Sequence, residues 1–168
     1  VGDRLMAALA LFLALVLAVS AGHKLVERER MGVAAGRLTG LSGALGGVAN
    51  VAAAAVEIMA ALCLLVPPLQ AVGGAIAGAL WLAYGVALAM RYGETLDCGC
   101  TFAAQEKPVG PFMLARAFGL MILGGIVALS ASAPLDLIAP FAALAFLALY
   151  FAANELAGII IYRKGHAA

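Results

Sequence analysis

Cys98 and Cys100, separated by a single glycine, are the residues of this chain best suited to covalent chemistry. A disulfide across so short a gap needs the two Cα atoms within about 4.4–6.8 Å, which takes a turn rather than an extended chain. Gly99 eases that turn because it carries no Cβ. A ring this small is expected to be strained, and strained, exposed disulfides are the labile ones. The pair therefore suits the exchange of electrons or thiol partners better than the stapling of a fold. The attacking species is the thiolate. Asp97 disfavours negative charge on its neighbour Cys98, which makes Cys100 the favoured nucleophile. As two thiolates, Cys98 and Cys100 can also hold a soft metal ion, and two plain loop cysteines without a role are the third alternative.

Ionisable and amide side chains inside apolar stretches form the second set of candidates, since such groups are costly in a membrane and mark function by default. His23 and Lys24 close the first apolar stretch. Asn50 and Glu57 lie seven residues apart, two turns along one helix face. Arg116 sits one turn into a later stretch, and Asn154 with Glu155 two turns before the end of the last. A polar pocket lined by His23, Asn50, Glu57, Arg116 and Glu155 beneath the cysteine loop is the expectation. Burial of Arg116 calls for a carboxylate partner. Arg116 is the candidate to stabilise a thiolate, and Glu57 or His23 to move protons. Cys63 lies more than about 20 Å along its helix from that end, at 1.5 Å per residue. It reads as a small buried hydrophobe.

What must position these residues is a membrane bundle. Of the 168 residues, 65% are apolar and 11% charged, against about 25% charged in a soluble domain. A net charge of +1 gives no footing for a nucleic-acid partner. Apolar runs long enough to span a bilayer cover about 5–22, 47–66, 71–90, 112–129 and 138–162, with the cysteine loop at 91–111. The fold class expected is thus all-α, a polytopic bundle of four to five transmembrane helices forming one integral membrane domain in the lipid bilayer. Pro67-Pro68 stops the second span. The GxxxG pairs Gly43/Gly47 and Gly74/Gly78, with Gly119, Gly124 and Gly125, offer thin faces for close helix packing, and a homo-oligomer is compatible with such faces. With five spans, Lys24, Arg28, Arg30, Arg37, Arg91, Lys107, Arg163 and Lys164 share one side and Arg4 stands alone on the other. The positive-inside rule then puts the cysteine loop in the cytoplasm.

Certain of these residues also carry a family resemblance. The first span closes on Ala21-Gly22-His23-Lys24-Leu25, and the second carries Glu57 and ends at prolines. Then come Arg91-Tyr92-Gly93, Asp97-Cys98-Gly99-Cys100 and a proline-led helix with Arg116. In these features the chain resembles the MauE family of methylamine-utilisation membrane proteins, within the wider DoxX-like group. One departure is Thr101-Phe102 where the family pattern has Phe-Gly. The resemblance implies a bacterial-type inner membrane and a role in disulfide formation or thiol electron supply for the maturation of exported proteins. It also implies a thioredoxin-like partner and Cys98/Cys100 as the redox pair. No cofactor is expected beyond a redox-active disulfide. Exported substrates and a cytoplasmic loop are reconciled in one of two ways: the loop takes electrons from a cytoplasmic donor and passes them outward, with Cys63 as an outer partner, or the loop faces outward. A transporter of a thiophilic metal ion or small thiol compound, using Cys98 and Cys100 for capture, is the alternative function, and a structural assembly subunit the third.

Overall fold

The computed structural model describes residues 2–96, 107–130, 132–134 and 136–165, with side chains throughout except at 96, 107 and 158–165. Cys98 and Cys100 lie outside the described residues. The elements in order are α1 (Gly2–Val26), α2 (Arg28–Thr39), α3 (Ala44–Leu65), a 3-10 turn (Pro67–Leu69), α4 (Gln70–Met90), β1 (Thr95–Leu96), β2 (Lys107–Pro108), α5 (Pro111–Leu129) and α6 (Ala139–Gly165). Five of the helices (α1, α3, α4, α5 and α6) are long and apolar enough to cross a membrane. The fold is the expected all-α polytopic bundle. Among the described residues its β content is one short antiparallel pair, Thr95 opposite Pro108 and Leu96 opposite Lys107.

The helix ends follow from local chemistry. Gly40 closes α2 in the left-handed conformation at φ 76°, which a residue without Cβ adopts at no steric cost. Pro111 begins α5 at the one position where a missing N–H goes unnoticed. The Asp136 carboxylate accepts from the backbone N–H groups of Ile138 and Ala139 at 3.2 and 2.9 Å, capping α6, and also meets Arg4 at 3.3 Å. At the same end, Gln70 is buried and pairs doubly with the Ala133 backbone, donating to its carbonyl at 3.0 Å and accepting from its N–H at 2.9 Å.

Small residues set the packing. α3 is central and touches α1, α2 and α4, while α4 and α5 share the most intimate contact. A Cβ placed on Gly74 would come within 2.7 Å of the Ala128 backbone, and one on Gly124 within 2.8 Å of Gly78. Gly124 thus confirms the thin face expected of its helix, but Gly119 and Gly125 meet nothing. In α3 the contact glycine is Gly46, whose added Cβ would lie 2.5 Å from the Gly32 carbonyl and 3.0 Å from Gly36. A Cβ on Gly43 or Gly47, the expected pair, would meet nothing within 4 Å, although the Gly47 backbone itself lies against Gly32; the partner of α3 here is α2, whose own GxxxG fixes the register. Helix α2 stands where only a connecting loop was expected. With Arg28 and Arg37 in its polar surface and exposed Val33, it has the mixed face of an interfacial helix. The main core runs through Leu13, Leu17, Leu64 and Trp81. α6 lies along α1 rather than packing closely on α5.

Candidate functional site

Glu57 is the most deeply buried charged residue among those described, 1% exposed in the middle of α3. A lone carboxylate there would be untenable, and the neighbouring helices answer it. Its Oε1 accepts from Lys24 Nζ at 2.6 Å, from Ser20 Oγ at 3.0 Å and from the Tyr84 hydroxyl at 3.0 Å. Lys24 also donates to Ser20 Oγ at 2.7 Å and lies 5.3 Å from the centre of the Tyr84 ring. Ser20 and Lys24 are one helical turn apart on α1, so both reach the same point. Asn50, buried two turns before Glu57 on α3, donates to the Lys24 backbone carbonyl at 3.1 Å. That satisfies one of the carbonyls orphaned in the last turn of α1. Glu57 Oε2 has no hydrogen-bond partner among the described residues.

His23 belongs to a neighbouring cluster. An Arg30 guanidinium nitrogen lies 3.0 Å from His23 Nε2, and Glu27 lies 3.7 Å from Nδ1 and 2.7 Å from Arg30 Nε. A guanidinium can only donate. His23 Nε2 therefore accepts, and the ring carries its proton on Nδ1, toward Glu27. On the far wall, Arg116 of α5 donates to the Asn154 side-chain oxygen of α6 at 3.0 Å.

These groups surround one cavity of about 280 Å³. Its walls come from every helix: Ser20, His23 and Lys24 of α1, Met31 and Leu38 of α2, Asn50 of α3, Trp81, Tyr84 and Leu88 of α4, Arg116 and Leu120 of α5, and Tyr150 and Phe151 of α6. It is mostly apolar with a few convergent polar groups, the usual make-up of a small-molecule site. Just beyond the wall, Val109 is 1% exposed and packs with Leu88 and Ala117, both of which line the cavity. Val109 stands at the returning end of the cysteine segment, whose two ends are tied together by Gly93 N–H to Val109 carbonyl at 3.0 Å and Val109 N–H to Glu94 carbonyl at 2.9 Å. Among the described residues no three His, Cys, Asp or Glu side chains converge to hold a metal ion.

The model of a family described as methylamine utilisation protein MauE matches residues 2–131. The chain belongs to the MauE family. No curated protein and no solved structure gives a match. The stretch shared with MauE holds α1 through α5 and with them the whole Glu57 cluster, whereas Tyr150 and Asn154 on α6 fall outside it.

His23, Asn50 and Arg116 line the cavity as the sequence pattern predicts, and Glu57 sits one hydrogen bond behind its wall. Glu155 does not join them: it is exposed on α6, and the neighbouring Asn154 faces Arg116 instead. Cys63 is half-buried near the far end of α3. Sequence reasoning passed over Ser20 and Tyr84, which complete the cage around Glu57. Ser20 one turn before Lys24 was the available signal. Tyr84 carried none, since a lone tyrosine in an apolar span reads as an interfacial anchor.

Proposed function

We propose that this MauE-family membrane protein performs thiol–disulfide exchange through Cys98 and Cys100, with a thioredoxin-like protein as partner, in support of the maturation of exported proteins. The observation that carries the reading is the placement of the polar cluster. The buried or half-buried ionisable groups His23, Lys24, Glu57 and Arg116 belong to the half of the bundle where α4 ends and α5 begins, which is the half that the Cys-Gly-Cys segment connects. Exchange moves protons as well as electrons, and Glu57 suits proton handling: one oxygen is held by three donors, and the other is buried with no partner among the described residues. Arg116, which lines the cavity near the start of α5, is the candidate cation to stabilise a thiolate. The membrane is the bacterial-type inner membrane. Basic residues on α2 and beside Lys24 favour the cytoplasmic side for the cysteine segment, where the partner is a cytoplasmic donor; on the opposite side it is an exported protein.

The test is the thiol state of the pair in intact cells, read with a membrane-impermeant maleimide before and after reduction in a Cys63→Ala background. Cycling between dithiol and disulfide, with a mixed disulfide to a thioredoxin-like protein trapped in Cys98→Ser or Cys100→Ser, is expected. The reagent's access reports the side. A pair that stays reduced under every condition, or a double serine variant that still matures exported proteins normally, overturns the proposal.

A further inference from the structure

We propose that the cavity of about 280 Å³ houses an acyl chain of a bilayer phospholipid, which enters sideways between α5 and α6. The inference rests on the cavity alone and is independent of the thiol reading above.

The polar groups of the wall do not call for a polar ligand, because they are bonded to protein. Lys24, Ser20 and Tyr84 all turn to Glu57 Oε1, Asn50 to the Lys24 carbonyl and Arg116 to Asn154. Most of what they leave facing the space is hydrocarbon, with Val16, Leu17, Met31, Leu38, Trp81 and Leu120 among the lining residues. Water gains little there, since a buried water needs two to four polar partners of its own. An empty space is no better, because an unfilled apolar cavity forfeits contacts for every atom that lines it. An engineered apolar cavity of about 150 Å³ takes up benzene, so by proportion this one holds roughly eleven carbons, a good part of one lipid tail.

The packing of the bundle supplies the way in. α4 is sealed against α5 by glycines, where a Cβ on Gly74 or Gly124 would strike backbone, and α3 is sealed against α2 in the same manner at Gly46. α6 is fastened elsewhere, to α1, with Phe12 edge-on to Phe146 and to Tyr150 at 6.1 Å each. Between α5 and α6 there is no close helix packing, and the Arg116 and Asn154 side chains span the gap. Both helices wall the cavity, Ala117 and Leu120 from α5 and Tyr150 and Phe151 from α6. Both are also long and apolar enough to cross a membrane, so their seam meets lipid tails. Hydrocarbon of the bilayer is thus the apolar material that reaches this gap, and it asks for no hydrogen bond that the wall has already spent.

Trp81 is the chain's only tryptophan, lines the cavity and is 6% exposed, so it reports the occupant. The full chain is placed in nanodiscs of phosphatidylcholine brominated midway along an acyl chain, a lipid that quenches tryptophan on contact. Quenching relative to unbrominated lipid is expected in the wild type. It should fall at least twofold in Ala53→Phe and in Ala87→Phe, cavity-filling changes on different helices that leave the wall's hydrogen bonds in place. A second measurement needs no variant: in detergent, quenching of the wild type by the same lipid should saturate at about one lipid per chain. Equal quenching in the wild type and in folded filled variants puts the bromines outside the bundle and overturns the proposal. So does quenching that rises linearly with lipid per micelle. Absence of quenching by brominated lipid overturns it too, and quenching by aqueous iodide in its place would mark the cavity as wet. None of these outcomes involves the cysteine pair, whose failure to cycle would leave the site standing.

Discussion

Replacing Glu57 with Gln keeps the shape of the side chain and removes its charge, leaving the Lys24 ammonium facing a neutral amide. Lys24 is 18% exposed and Glu57 1%, so the pair is largely desolvated, and the 2.6 Å contact is its main compensation. Removing one partner of a buried pair costs about 3–5 kcal/mol, because the remaining charge stays where water cannot reach it. Lys24 lies near the end of α1 and retains some access, which favours the lower figure. For a chain of 168 residues, about 3 kcal/mol corresponds to a fall in Tm of roughly 6–12 °C, at roughly 2–4 °C per kcal/mol. Thermal unfolding in detergent, followed by circular dichroism, measures it. The partner variant, Lys24→Met, should lose a similar amount, and the double variant Lys24→Met, Glu57→Gln should lose much less than the two singles together, since no lone charge remains. If Glu57→Gln shifts Tm by under about 1–2 °C, or if the double variant equals the sum of the singles, the pair is not coupled and the reasoning fails.

Other outcomes follow from the same geometry. Gly124→Ala should lower Tm by several degrees and Gly125→Ala by almost nothing, because a Cβ on the first meets Gly78 backbone at 2.8 Å and on the second meets open space; equal effects would refute the α4–α5 contact. Gln70→Leu strands the N–H and carbonyl of Ala133 in a buried position, at about 1–3 kcal/mol for each unsatisfied group, and proteolysis near residue 133 should accelerate accordingly. Asp136→Ala removes the cap of α6 and should cost about 1 kcal/mol, read as faster hydrogen exchange at Ile138 and Ala139. Tyr84→Phe removes one of three donors to Glu57 while keeping the ring, so it should destabilise by about 1 kcal/mol without loss of Trp81 packing.

How much of this was written plainly in the sequence differs by element. The spans are legible because length and apolarity alone define them: a run such as Ile76 to Leu82 has no alternative to lipid or core. Pro67-Pro68 and Pro111 mark helix ends through chemistry that is local to the chain. Helix α2 was hidden because its twelve residues carry four charges and two glycines, a composition typical of a loop; its fit against Gly46 of α3 is recorded nowhere in the sequence. The GxxxG motif misled for a related reason. Spacing shows that a thin face exists, but the partner helix decides which glycine is used, so Gly46 replaced the Gly43/Gly47 pair. Glu155 was misplaced by one residue, which on a helix is a rotation of about 100°, enough to turn a side chain from the interior to the outside.

The site shows the same division between identity and arrangement. That Glu57 matters could be read from its position alone, ten residues from either end of a span. That it is held by a lysine, a serine and a tyrosine from two other helices could not, because nothing in an apolar sequence records which turn of α4 faces which turn of α1. The arrangement changes the chemistry assigned to each group. His23, read as a proton carrier, has Nε2 3.0 Å from an Arg30 guanidinium nitrogen and Nδ1 3.7 Å from Glu27, so it sits in a charged cluster of its own. Glu57, by contrast, keeps one oxygen without a partner among the described residues. Its other oxygen is bound by Lys24, Ser20 and Tyr84, all three of which line the cavity, so the carboxylate stands one hydrogen bond behind the cavity wall on two neighbouring helices at once.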